Sequence, residues 1–127
     1  MTPTSALSRT SALSLSKTFL QHFNLYNPLH FAATNTAIVY LELLYRGYNV
    51  KVGKTDDYEI DFVAYKGSDI LYVQVCYLLA SPETVEREFG NLERIKDYYP
   101  KYVISGDLPD FSRNGIKHYN IIKFLLN

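Results

Sequence analysis

The sequence predicts one α/β domain, an αβββαβ core with a mixed central sheet flanked by helices. Apolar residues recur at helical spacing in two separated stretches, over 37–45 and 85–99. Between them lie three strand-like runs, 48–53, 58–65 and 70–77, and a fourth, 101–105, follows the second helix. A strand, a helical crossover and another strand imply a parallel pair, which makes the sheet mixed. A length of 127 residues holds one domain, and 47% hydrophobic content supplies its core. Charged residues at 20% argue against both a disordered chain and a coiled coil.

Composition divides the chain into an N-terminal extension, residues 1–34, and the α/β domain, residues 35–127. All thirteen acidic residues lie at or after Glu42, and nine of the first eighteen residues are Ser or Thr. An acid-free, Ser-rich start is one mark of an organelle transit peptide, but such peptides are rich in Arg and this stretch holds only Arg9. Ser also interrupts each apolar stretch between Ala6 and Leu15, against a secretory signal. Leu13, Leu20 and Phe23 fall at helical spacing and Pro28 closes the segment. The expectation is a loosely ordered or partly helical arm, weakly packed or exchanged with a second copy, the remnant of something longer.

In the domain, Thr34 or Asn35 caps a helix whose apolar positions are Ala37, Ile38, Leu41, Leu44 and Tyr45, and Gly47 stops it. Val39 and Leu43 add a second apolar side, so the helix is expected between layers. Val50 and Val52 share a face of the first strand. In the second, Ile60, Phe62 and Ala64 take one face, and Glu59, Asp61 and Val63 the other. The third is apolar almost throughout, as a strand covered on both faces should be. Lys66-Gly67-Ser68-Asp69 joins the last two as a hairpin. Ser81, Pro82 and Glu83 open the second helix. Val85, Phe89, Leu92, Ile95 or Lys96, and Tyr99 trace its face, Gly90 reads as a close approach to the sheet, and Pro100 ends it. Residues 116–120 form a last short strand and 121–126 a last helical turn or two.

Thirteen basic residues balance thirteen acidic ones, which excludes a domain that holds nucleic acid by bulk positive charge. A local basic patch, or a partner bringing its own charge, stays open. The single cysteine, Cys76, forms no internal disulfide and builds no cysteine zinc site, so a reducing, cytoplasmic setting is expected. No 18-residue apolar run exists, so no membrane association through a transmembrane helix is expected.

The candidate chemistry lies in the second and third strands. Asp61 stands between Ile60 and Phe62 and shares a face with Glu59. A surface pair is the commoner reading of such carboxylates, and a hard-cation site is the functional one, because Mg²⁺ needs only one or two carboxylates beside water and a phosphate. Gln74 and Cys76, two apart, project from one face of the adjacent strand, where a polar Gln must find partners. Asp61, Gln74 and Cys76 are expected to converge.

These residues resemble a known fold. The αβββαβ order, a helix ending in RGY, the strand EIDF and a strand with a spaced polar pair are similar to the PD-(D/E)XK nuclease-like superfamily. A closer resemblance is to the C-terminal domain of unknown function attached to many prokaryotic AAA-type ATPases. The segments AIVYLELLYRGYNVKVGKTDDYEIDFVA, LYVQVCYLLASPETVEREFGNL and YPKYVIS carry it, across residues 37–127. The resemblance implies that Asp61 matches the metal-binding Asp, and that the E-x-K pair falls on Gln74 and Cys76. An active enzyme needs the Glu as a metal ligand and the Lys to activate water. Gln74 offers a weaker neutral oxygen and Cys76 no charge, so the catalytic set Asp61, Gln74, Cys76 is degenerate. A helix Glu of such enzymes falls near Thr36, whereas Glu42 comes six residues later, about 120° round. The metal set implied is Asp61 with Glu42 or Glu59, and the metal Mg²⁺.

Other features are read more plainly. Glu83, Glu86, Arg87 and Glu88 crowd one helix end as a solvated face, although an acid on this helix, Glu86 or Glu88, is an alternative replacement ligand. His22, His30 and His118 lack ligand spacing. Cys76 has no His nearby in sequence and reads as an inert buried thiol. The GKT at Gly53–Thr55 lacks a phosphate loop's upstream Gly and following helix. Three functions follow as expectations. The first is a non-cleaving nuclease-fold module that binds nucleic acid or a partner for an AAA-type ATPase. The second is a Mg²⁺-dependent DNA endonuclease, and the third a pure protein-interaction domain. Partners in view are DNA, the ATPase or another protein, and a second copy of the chain.

Overall fold

The computed structural model describes the backbone of residues 28–54 and 57–127, and side chains from residue 34 with the same gap. Expectations for residues 1–27, His22 among them, and the side chain of His30 lie outside the described residues. The elements are α1 (Pro28–Tyr45), β1 (Asn49–Lys54), β2 (Glu59–Lys66), β3 (Asp69–Val75), α2 (Pro82–Glu93), β4 (Lys101–Ser105), β5 (Lys117–Asn120) and α3 (Ile121–Leu126). The sheet order is β1-β2-β3-β4-β5. The β1–β2 and β2–β3 pairs are antiparallel and the β3–β4 and β4–β5 pairs parallel, so the fold is the mixed α/β sheet expected. No helix of the described residues is long and apolar enough to cross a membrane.

Local chemistry sets the element ends. Ser81 Oγ accepts the Thr84 N–H at 3.2 Å and Pro82 takes the first helical position, starting α2. Asn120 Oδ1 accepts the N–H groups of Ile122 and Lys123, starting α3 directly from β5. Gly67, at φ +62°, turns the two-residue hairpin between Lys66 and Asp69. Each sheet face carries its own core. Against α1 and α3 lie Phe62, Ala64, Val73 and Ile104, with Ile38, Leu43 and Phe124 from the helices. Against α2 lie Ile60, Val63 and Val103, with Phe89 and Leu92.

Several expectations shift. The first helix begins at Pro28, so Thr34 and Asn35 are interior, buried residues rather than caps. Its buried side is Asn35, Ile38, Val39, Glu42 and Leu43, while Leu41 and Leu44 are exposed. A helix apolar on more than one side gives periodicity no unique inward stripe. The second helix ends at Glu93, short of Tyr99, because Asp97 organises the next turn: it accepts the Tyr99 N–H and binds Lys101 Nζ at 2.8 Å. Gly90 has open space around it, against the close approach expected.

Strict alternation also fails in β2. Lys51 pairs with Val63 and Gly53 with Ile60, so one residue, Val52, faces two, Asp61 and Phe62. This is a β-bulge. It puts Ile60 on the same side as Val63 instead of with Phe62. Gly53 makes room for it, since a Cβ there would stand 2.7 Å from Val63 Cγ2 and 3.1 Å from the Ile60 Cβ. Gly53→Ala is therefore expected to destabilise the domain by about 1–3 kcal/mol, the usual cost of overpacking. Urea unfolding checks this, and an unchanged midpoint would mean that the bulge is not closely packed.

Candidate functional site

The β2–β3 ladder runs from Lys66–Asp69 to Phe62–Val73 and stops there. Beyond it, side chains span the gap. Gln74 Oε1 accepts the Asp61 N–H at 2.8 Å, and Asp61 Oδ2 accepts the Val75 N–H at 2.8 Å. The two polar residues that looked out of place in apolar strands thus bond across the parting strands, each to backbone of the opposite one. Gln74 is buried and Asp61 half-buried.

The third member of the sequence-derived set joins them electrostatically. The Cys76 thiol is pushed up to about 12 by burial, then by the negative charges of Glu88, Asp107 and Asp61. A thiol so disfavoured as thiolate is a poor nucleophile at neutral pH. Glu88, from α2, is buried, and its Oε1 meets Arg87 Nε at 3.1 Å. Burial raises its carboxyl above the usual range, and the Asp61 charge adds to this against the Arg87 hydrogen bond. Asp61 is also raised, by burial first and then by Glu59, with the Val75 N–H bond and Arg87 opposing. Of the two acids weighed on the second helix, Glu88 interacts with Asp61, whereas Glu86 is tied to Arg113 at 2.7 Å.

The remaining metal candidates stand apart. Glu42 is enclosed and pairs with Arg46 Nε at 2.6 Å. Arg46 in turn donates to the Phe124 carbonyl at 2.6 Å, so this acid fastens α1 to α3. Glu59 is exposed, 3.8 Å from Lys54. Among the described residues, no three His, Cys, Asp or Glu converge to hold an ion. What remains for a cation is Asp61 Oδ1 and Glu88 Oε2, neither of which accepts a hydrogen bond among the described residues. Two carboxylates suit Mg²⁺ only where water and a phosphate complete its shell.

At the ends of β3 and β4 is a buried network that the spacing of residues did not reveal. Phe111 N–H donates to His118 Nδ1 at 3.2 Å, which leaves the ring proton on Nε2 to donate to Ser105 Oγ at 2.7 Å. Ser105 Oγ donates to Asp107 Oδ2 at 2.7 Å, and the Leu79 N–H reaches the same oxygen. Burial lowers the His118 pKa and keeps the ring neutral. Serine, histidine and aspartate meet here, yet the proton order is the reverse of a nucleophile's: the imidazole donates to the hydroxyl and is not its base. Ser105 is fully buried. The network holds the chain leaving β3 against the chain leaving β4. A serine and an aspartate two apart at the end of a parallel strand were its only sequence signal.

Because the Asp61 and Glu88 pKa values are raised on folding, their contribution favours the native state most below the unfolded carboxylate range. It is lost as pH rises through the raised folded values. Glu88→Gln, which removes one charge, is expected to be more stable than the parent at pH 7, with the difference fading toward pH ~4. Thermal melts across that range decide it. A variant less stable at pH 7 would show that the Arg87 contact outweighs the desolvation.

No family model matches the chain. It is 46% identical over 90 residues to a protein of Haemophilus influenzae strain Rd described as an uncharacterized protein. The match takes in 70% of this chain and 22% of that relative, so the chain spans about a fifth of the relative's length.

Proposed function

We propose that the chain is a divergent PD-(D/E)XK nuclease-like domain of the kind attached to AAA-type ATPases. In this reading it is non-cleaving and serves a larger protein as a nucleic-acid- or partner-binding module. The observation that carries this is the use made of the would-be catalytic atoms. Gln74 Oε1 and Asp61 Oδ2 are engaged by backbone N–H groups of the opposite strand. Where the fold's enzymes place a water-activating lysine stands Cys76, a neutral thiol in a negative setting. The electrostatics there disfavour hydroxide formation.

A second reading has one specific observation behind it. Glu88 stands beside Asp61 on a different element, as a migrated second acid would. With Mg²⁺ between Asp61 and Glu88, the cation would supply Lewis-acid activation of a phosphodiester. Arg87, next to both carboxylates, would face the anionic substrate.

One experiment separates the two. Supercoiled plasmid and a labelled duplex are incubated with the protein in Mg²⁺ or Mn²⁺, and duplex binding is titrated at several salt concentrations. The proposed reading expects no cleavage, and duplex binding that weakens linearly in log salt as phosphate contacts are screened. Metal-dependent cleavage abolished by Asp61→Ala and by Glu88→Gln would establish the endonuclease instead. Absence of both cleavage and salt-dependent binding would leave the partner-binding half of the proposal.

A further inference from the structure

Among the described residues, β1 ends the sheet on one side. β1 pairs with β2 on one side and with no strand among the described residues on the other. Alternate backbone N–H and C=O groups of such a strand point outward and can template another strand. A groove of about 570 Å³ wraps this edge, lined by Tyr40 and Leu44 from α1, Asn49, Val50 and Lys51 from β1, and Tyr65 from β2. Val52 on the same strand is 65% exposed, and Leu41 beside the groove 42%. Of the α1 stripe that the sequence suggests should face a core, Ile38 is buried, whereas Leu44 lines this groove and Leu41 is exposed.

The charges on the edge decide what fits it. Lys51 stands over the Tyr65 ring at 5.9 Å, and Lys54 is 74% exposed at the strand end. Lys54 already pairs with Glu59 at 3.8 Å, so Lys51, on the face of β1 turned from α1, carries the charge that a neighbouring strand would meet. Pairing two copies through β1 would bring their Lys51 side chains to one seam, like charge against like, whereas an incoming strand with acidic side chains on that face meets it favourably. On the α1 side, Tyr40, Leu44 and Val50 require apolar ones. We infer that β1 is a docking edge for an extended segment of a partner polypeptide in which apolar and acidic residues alternate, added as a sixth strand. The inference rests on the partner-binding part of the proposed function but uses residues remote from Asp61. Nuclease activity would overturn the non-cleaving reading and leave this one intact.

The test uses the full chain and a fluorescent eight-residue peptide of alternating valine and glutamate, with lysine replacing glutamate in a control. Anisotropy should show the glutamate peptide binding at least tenfold more tightly, and hydrogen exchange should slow at β1 amides. The exposed double substitution Lys51→Glu with Lys54→Glu should invert the preference. Leu44→Asp, also at the surface, should weaken the glutamate peptide about tenfold, so that either variant serves if the other misfolds. Equal binding of both peptides, protection away from β1, or no binding by either at millimolar concentration would overturn the inference. So would sedimentation showing self-association through β1 in place of peptide binding.

Discussion

Two side-chain-to-backbone bonds across the parting ends of β2 and β3 organise this domain. Gln74 holds the Asp61 N–H and Asp61 holds the Val75 N–H, so the sheet opens without leaving those two donors bare. An unpaired buried donor costs about 1–3 kcal/mol, which makes each acceptor hard to dispense with. The bulge in β2 begins at the same place, where Asp61 and Phe62 face the single residue Val52, and Gly53 supplies the room it needs. Glu88 of α2 comes near these parting strand ends, with Cys76 and Asp107 close by.

The acids near these strand ends are poorly matched in charge to their surroundings. Asp61 and Glu88 are both driven toward the protonated form by burial, with Arg87 the cation that offsets them. A half-buried carboxylate normally persists because something hydrogen-bonds its charged form. For Asp61 that is the Val75 N–H, a structural reason. For Glu88 it is one contact to a mostly exposed arginine side chain. By contrast, the Ser105–Asp107–His118 network is closed: each of these side chains meets a partner, and the network anchors the loop after β4.

Much of the architecture was legible in the sequence because each element carried its own local signal. Ser81-Pro82 placed the start of α2, Gly67-Ser68 the hairpin, and the apolar run at 70–75 the central strand. That Asp61 and Gln74 meet was legible from two polar residues set in neighbouring apolar strands, each in need of a partner. Less legible was whatever depended on tertiary choice. The inward face of α1 was ambiguous because the helix is apolar nearly all round, and the stripe through Leu41 and Leu44 is the one left outside. The bulge depends on Gly53 in a neighbouring strand, so no pattern within β2 could show that Ile60 changes face. Glu88 looked like one of several acids on a solvated helix, and only packing separates it from Glu86, which Arg113 holds at the surface. The network through His118 joins residues whose spacing carries no motif.

The central claim is that Asp61 and Gln74 act first as fasteners of the open strands. Amide hydrogen exchange tests it most directly, residue by residue, in the parent and in Gln74→Ala. In the parent, the Asp61 and Val75 amides should be protected although neither is bonded there by the β2–β3 backbone ladder. In Gln74→Ala, the Asp61 amide should exchange at least ~10-fold faster, the equivalent of about 1.4 kcal/mol, while Ala64 and Val73 farther along keep their protection. Unprotected Asp61 and Val75 amides in the parent, or an Asp61 amide indifferent to the loss of Gln74, would contradict it.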